Sequence, residues 1–361
     1  MFNRPPHNSI GEVVKKVHVG LVGCGEVAQK HANALKKIKE ASIKAVADID
    51  IKKAKNFAMK FGVKRYYNSL SNMLANEELD AVLILTNPQT HCELAIEAMD
   101  AGKHVLVEKP FCVTVEEAEK MVKASEENNV VLFPVEQFLF TPAMQKTIEL
   151  LSSGRAGAVI SIYAYASISP LVGRLMRNEL PKWFYTLPGG IYGEEISHPL
   201  YTTLKLLNER IEEIYVSCVE RREENVLPCS ELRILLEGKN KSARIIMTTR
   251  SESRHTLLNL IINCERYVVL VDPPLSLSLI RNYASPRFAQ AVDFTKNFIG
   301  NIFNNMVGIV TSKIYEGCSW ESINRAFITS ILEGRSPLIT KEEIIEWVRI
   351  TELIWKQAFK P

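Results

Sequence analysis

Long apolar runs are missing from this 361-residue chain. No segment approaches the roughly 20 uninterrupted apolar residues of a membrane-spanning helix, so no span is expected. Residues 1–16, with Pro5, Pro6, His7 and Asn8, lack the apolar stretch of a signal peptide and read as a loose tail. An excess of charge of one sign is missing too. Lys and Arg number 44 against 41 Asp and Glu, interspersed, which leaves no basic face for nucleic acid. Cysteine is sparse: the seven thiols at 24, 92, 112, 218, 229, 264 and 318 are odd in number and scattered. They show neither Cys-x-x-Cys nor Cys/His ligand spacing, so a disulfide framework and a bound metal are excluded and a reducing, cytoplasmic setting is expected. There is no internal repeat and no low-complexity tract.

What is present is enough apolar material, 47%, for a chain longer than one core usually supports, so two domains are expected. Short apolar segments at 17–22, 43–47, 81–85, 105–107 and 130–135 alternate with amphipathic helices. That pattern predicts a doubly wound parallel sheet over residues 17–140. Beyond a helix at 142–152 the pattern turns β-rich, at 158–168, 211–220, 231–237, 243–251, 257–263 and 267–271. Residues 141–340 therefore predict an α+β domain with a largely antiparallel sheet, and a helix near 341–356 closes the molecule within the final segment 341–361. A helix over 192–208 interrupts the strands, with Glu194 and His198 four apart on one face. Residues 286–315 read as a further long amphipathic helix, either core, subunit contact or membrane-surface.

The first strand runs into Gly23-Cys24-Gly25-Glu26-Val27-Ala28, a Gly-x-Gly-x-x-Ala turn, with Asp48 about 20 residues beyond it. Gly23 permits the tight turn, Gly25 lets backbone approach a pyrophosphate, and Ala28 lets the helix pack closely. The helix opening at Glu26 and Val27 aims unpaired N–H groups at phosphates. Asp48 closes the second strand, where its carboxylate accepts hydrogen bonds from ribose hydroxyls and repels a 2′-phosphate, so NAD is expected over NADP. Ligands of such sheets sit beyond the carboxyl ends of the strands. Thr86, Asn87, Pro88, Glu108 and Lys109 belong to the same crevice. Lys109, just past a buried strand and next to Pro110, is suited to stabilise a developing alkoxide, with burial lowering its pKa.

These residues resemble a known family, the glucose-fructose oxidoreductase, inositol dehydrogenase and MocA group of NAD(P)-dependent oxidoreductases. The resemblance rests on Gly23-Cys24-Gly25-x-x-Ala28 with His31, Thr86-x-Pro88 with His91, the run from Ala101 through Gly-Lys-His-Val-Leu-Val-Glu to Lys109-Pro110, and Gly189-Gly190 followed by Glu194 and His198. It implies a Rossmann domain followed by an α/β domain whose open sheet forms subunit contacts, hence a homodimer or homotetramer. It implies that Lys109 is catalytic, that His198 is the general base, and that Glu194 orients the pair or the substrate. It adds His91 to the cofactor residues and implies a cis Lys109-Pro110 bond. The activity implied is hydride transfer between NAD and a secondary alcohol or ketone of a cyclic polyol, sugar or sugar derivative.

The chain departs from the family's pattern in three places. Glu194 stands where Asp is frequent, and Pro199-Leu200-Tyr201 follows the histidine, which makes Tyr201 a candidate substrate contact. Leu139-Phe140-Thr141-Pro142 lacks an arginine common in relatives, so Glu136 and Gln137 are candidates to replace it. Arg174, Arg177, Lys182 and Trp183 read as a solvated charged loop, with Trp183 the candidate sugar-stacking ring. Two other readings stay open: a dinucleotide-binding regulator of the same fold that lost turnover, and an enzyme acting on a non-carbohydrate carbonyl or imine.

Overall fold

The computed structural model describes residues 16–251, 257–273, 277–282, 295 and 316–359. Its first sheet contains β1 (Val17–Val22), β2 (Ala41–Ala47), β3 (Arg65–Tyr67), β4 (Ala81–Ile84), β5 (His104–Val107) and β6 (Leu132–Pro134), in the order β3-β2-β1-β4-β5-β6. Every pairing is parallel. This is the Rossmann order, and its reversal between β1 and β4 opens the crevice where a dinucleotide lies. The strands are apolar throughout because both faces are covered: all four residues of β4 are buried. The crossings are made by α1 (Glu26–Leu35), α2 (Ile51–Phe61), α3 (Leu70–Asn76), α4 (His91–Asp100) and α5 (Val115–Glu127). Asp50 caps α2 through the N–H groups of Lys52 and Lys53, and Thr114 with Glu117 forms a capping box on α5.

After α6 (Pro142–Ser152) the chain builds a second, seven-stranded sheet. Its members are β7 (Val159–Ser167), β8 (Ile211–Val219), β9 (Glu231–Gly238), β10 (Ser242–Thr248), β11 (Leu257–Cys264), β12 (Tyr267–Asp272) and β13 (Leu277–Asn282). The order is β13-β12-β11-β7-β10-β9-β8, antiparallel except where β7 and β10 run parallel. Alternate residues, such as Ala243, Ile245 and Met247, are buried on one face. Helices α7 (Ser169–Met176), α8 (Ile191–Glu195) and α9 (Ser197–Leu207) lie between β7 and β8 in the chain, and α9 packs on that buried face. The opposite face is open, with a cross-strand row of Tyr215, Leu235, Arg244, Tyr163, Ile261 and Leu270.

Four features differ from the sequence-based expectation. The helix expected over 192–208 is two helices meeting at Ile196, because Pro199 has no N–H to give the carbonyl of Glu195. The short strand β3 and the edge strand β13 were not foreseen. A helix, α10 (Glu316–Glu333), starts where the expected 286–315 helix ends; that helix falls outside the described residues apart from Thr295. Although α10 lies far along the chain, within the stretch assigned to the second domain, it packs on α1 and β1 of the first sheet. The last helix, α11 (Lys341–Ala358), packs against α5, α9 and β8 and so ties the two sheets together.

Candidate active site

At the end of β1, Gly23 adopts φ +94°, and a Cβ there would stand 2.6 Å from the carbonyl oxygen of Leu85. Only glycine fits. Gly25 is different: its backbone is ordinary, and a Cβ would meet nothing within 4 Å. It faces open space at the start of α1, whose first N–H groups have no side-chain cap, unlike those of α2, α5, α6 and α11. A bare helix N-terminus beside an open glycine fits a pyrophosphate. Asp48 accepts the Cys24 N–H (2.9 Å) with one oxygen and the Asp50 N–H (2.9 Å) with the other, tying the glycine turn to β2. Each carboxylate oxygen keeps a lone pair for a ribose hydroxyl.

Beyond β4, the Thr86 and Thr90 hydroxyls share a hydrogen bond of 2.8 Å, and Asn87 and Pro88 enter a short 3₁₀ turn. His91 is fully buried, with its ring nitrogens on the carbonyls of Pro110 (3.0 Å), Phe111 (3.2 Å) and Thr86 (3.2 Å). It braces the turn and has no surface for a cofactor, which corrects its assignment as a contact. Glu108 is corrected likewise. Its buried carboxylate accepts the Lys109 N–H at 2.7 Å and faces His31 Nε2 at 3.2 Å. Burial works to raise its pKa, but the His31 and Lys109 contacts outweigh it and hold the carboxyl below its usual range. His31 Nδ1 in turn meets Asn324 Oδ1 at 3.0 Å, which links α10 to the Glu-Lys-Pro turn.

The Lys109-Pro110 bond is cis. Lys109 Nζ donates to Glu194 Oε1 (2.7 Å) and to the Glu194 carbonyl (3.2 Å), leaving one of its three N–H groups uncommitted. Its pKa is raised, against expectation: burial does pull it down, but the carboxylates of Glu194 and Glu195 pull harder the other way. Glu194 is pushed up to about 7, by burial first and by Glu195, against the pull of Lys109. Glu194 thus serves the lysine and not the histidine.

His198 is held by Glu136. The buried Glu136 carboxylate places both oxygens 3.1 Å from His198 Nδ1 and accepts the Phe138 N–H, while the Phe138 ring lies 4.6 Å from the imidazole. Burial lowers the His198 pKa, yet Glu136 more than compensates and the net direction is upward. Glu136 therefore belongs behind the histidine and is corrected as a substrate contact. With Nδ1–H committed, Nε2 is the free nitrogen, and it stands 3.8 Å from Glu195 Oε2. The other oxygen of Glu195 stands 4.0 Å from Lys109 Nζ. Sequence reasoning had left Glu195 without a role, although two adjacent carboxylates just ahead of the histidine were a usable signal.

Tyr201 is buried and stacks on Trp347 at 4.5 Å, so it faces the core instead of the cleft, which corrects its assignment. The Gln137 side-chain oxygen is buried without a hydrogen-bond partner. Trp183 is partly exposed, and its carbonyl meets Gln89 Nε2 at 3.5 Å, which brings the 3₁₀ turn Lys182–Tyr185 to the Rossmann side of the cleft. The charged loop is in part a helix, α7. Arg177 pairs with Glu179 at 2.8 Å, and Arg174 approaches Glu26, the first residue of α1, at 4.0 Å. Among the described residues, no group of His, Cys, Asp and Glu is arranged to hold a metal, and no helix is long and apolar enough to cross a membrane.

Residues 17–136 match the model of the oxidoreductase family with an NAD-binding Rossmann fold. Over that stretch the chain is similar to the NAD-binding Rossmann oxidoreductases. The matched model is that of the group its motifs resemble, glucose-fructose oxidoreductase, inositol dehydrogenase and MocA. The chain is 25% identical over 201 residues to myo-inositol 2-dehydrogenase of Thermotoga maritima, covering 55% of this chain and 57% of that protein. It is 35% identical over 144 residues to D-apiose dehydrogenase of Paraburkholderia graminis, covering 40% and 38%. The chain thus matches about half the length of these relatives or less. The fold as a whole is similar to that of the WlbA dehydrogenase from Bordetella pertussis in complex with NADH and UDP-GlcNAcA. The TM-score is 0.78 and the identity 21%, over 95% of this chain and 96% of that one.

Proposed function

We propose that the protein is an NAD-dependent dehydrogenase that interconverts a secondary alcohol and a ketone on a cyclic polyol, sugar or sugar derivative. One observation carries this reading: the uncommitted N–H of Lys109 and the free Nε2 of His198 come from different domains, and both lie about 4 Å from the carboxylate of Glu195. A regulator that only binds dinucleotide has no use for that pairing. The relatives point the same way, since two are named dehydrogenases of a cyclitol and a sugar.

NAD, when bound, supplies the hydride acceptor. The residues suited to hold it are Gly23, Gly25, Glu26, Val27 and Ala28 at the pyrophosphate, Asp48 at the adenosine ribose, and Thr86, Asn87 and Pro88 along the crevice. The chain's own work concerns the substrate oxygen. Lys109 donates a hydrogen bond to it and stabilises negative charge as the hydroxyl proton leaves. His198 Nε2 takes that proton, while Glu136 accepts the Nδ1–H bond, fixes the tautomer and favours the imidazolium that forms. Glu194 keeps Lys109 charged and pointed. In the reducing direction the same two groups return the proton.

The open face of the second sheet supports a homodimer or homotetramer, because Tyr215 and Ile261 on it are exposed apolar side chains. Light scattering of the purified protein tests that assembly. The activity is tested by following NADH fluorescence against a panel of cyclic polyols, free sugars and nucleotide-linked sugars. Turnover of at least one supports the reading; dinucleotide binding without turnover of any favours the regulator.

A further inference from the structure

Glu195 differs from the other carboxylates of the cleft. Glu194 is bonded to Lys109 and Glu136 to His198, at 2.7 and 3.1 Å. Glu195 approaches both catalytic groups, at 4.0 and 3.8 Å, and hydrogen-bonds to neither. Its side chain is mostly buried between the two catalytic groups yet keeps 13% of its surface accessible. A further acceptor beside Lys109, Glu194 Oε2, is buried with no donor. The gap therefore has acceptors in surplus, and one uncommitted donor, the third N–H of Lys109.

An oxygen bonded to both Lys109 Nζ and His198 Nε2 uses up that donor and the histidine lone pair. The substituent on the adjacent ring carbon then lies one more hydrogen-bond length away, at Glu195. An ionised carboxylate only accepts, so that substituent has to donate. A hydroxyl satisfies it and an ammonium does so with charge assistance, whereas an anionic group meets like charge in a half-dry gap. We propose that Glu195 is the specificity-determining residue that reads the carbon next to the one oxidised, so that vicinal diols and vicinal amino alcohols are accepted and a vicinal carboxylate is rejected. This rests on the dehydrogenase reading and deepens it.

The test starts from the polyol or sugar that the fluorescence panel shows to be oxidised. Its analogues with hydrogen, amino and carboxylate in place of the adjacent hydroxyl are compared by NADH formation with wild type, Glu195→Ala and Glu195→Gln. In wild type, the hydroxyl and amino compounds are expected to exceed the deoxy compound in kcat/KM by about tenfold or more, and the carboxylate to fall below it. Glu195→Ala brings the hydroxyl-to-deoxy ratio close to one. Glu195→Gln keeps the hydroxyl preference, because an amide oxygen still accepts, but loses the charge-assisted part of the amino preference and tolerates the carboxylate. A wild-type ratio near one, or a ratio that Glu195→Ala leaves intact, overturns the assignment while the dehydrogenase stands. Absence of turnover across the whole panel with NAD still bound overturns the dehydrogenase reading, and this one falls with it.

Discussion

Two buried histidine–glutamate pairs flank the Glu-Lys-Pro turn, and they look alike until the second ring nitrogen is followed. His31 meets Glu108 at 3.2 Å with Nε2 and Asn324 at 3.0 Å with Nδ1, so the protein occupies both nitrogens. The Asn324 amide donates to the Trp320 carbonyl, which fixes its oxygen toward the ring. His198 meets Glu136 with Nδ1 alone and turns Nε2 toward the cleft. Burial and a carboxylate partner are therefore no sign of catalysis in themselves. The uncommitted nitrogen is what separates a proton acceptor from a brace.

The largest effect expected from breaking this contrast is on turnover. His198→Ala should lower kcat by about 10²–10⁴-fold with NAD affinity near wild type, and with some loss of stability because buried Glu136 loses its histidine, as steady-state kinetics and calorimetry would show. His31→Ala should lower stability and spare kcat. It leaves buried Glu108 with only the Lys109 N–H, and should cost about 3–5 kcal/mol in denaturant unfolding. A variant that loses turnover but keeps full stability would contradict the brace.

A smaller effect sharpens the comparison. On the proposed mechanism oxidation requires neutral His198, so the rate should rise with pH through the histidine pKa, which Glu136 holds above the ordinary value near 6.5. Replacing Glu136 with Gln removes the charge that favours the imidazolium, and the acid limb of the pH–rate profile should move down by about one unit, equivalent to about 1.4 kcal/mol. Glu108→Gln should leave that limb in place.

Asp48 is intermediate between the two pairs, since its oxygens bind backbone N–H groups yet keep lone pairs free. Asp48→Ala should narrow the preference for NAD over NADP by roughly tenfold, about 1.4 kcal/mol, in calorimetric titrations. Equal wild-type affinities would remove Asp48 from the set of residues that choose the cofactor.

Much of this was legible in the sequence where the signal is local. The Rossmann alternation, the glycine turn and the placement of Lys109 all depend on residues close together in the chain. β3 escaped notice because Arg65, Tyr66 and Tyr67 form only three residues of a half-exposed edge, too short for any period. Tyr201 was misread because α9 is buried on nearly every side, so its helical faces do not distinguish cleft from core. Glu136 and Asn324 act on histidines 62 and 293 residues away, and no spacing rule reaches that far. The lysine pKa reversed because burial was legible and the two facing carboxylates were not.

Whether Lys109 and His198 act on one substrate oxygen is tested most directly by a double-mutant cycle in kcat. Lys109→Ala and His198→Ala should each cost about two orders of magnitude or more, and the double mutant should be only a few-fold slower than the slower single mutant. Losses that multiply in the double mutant would mean that the two groups act on separate steps, and would contradict their joint action on a single oxygen.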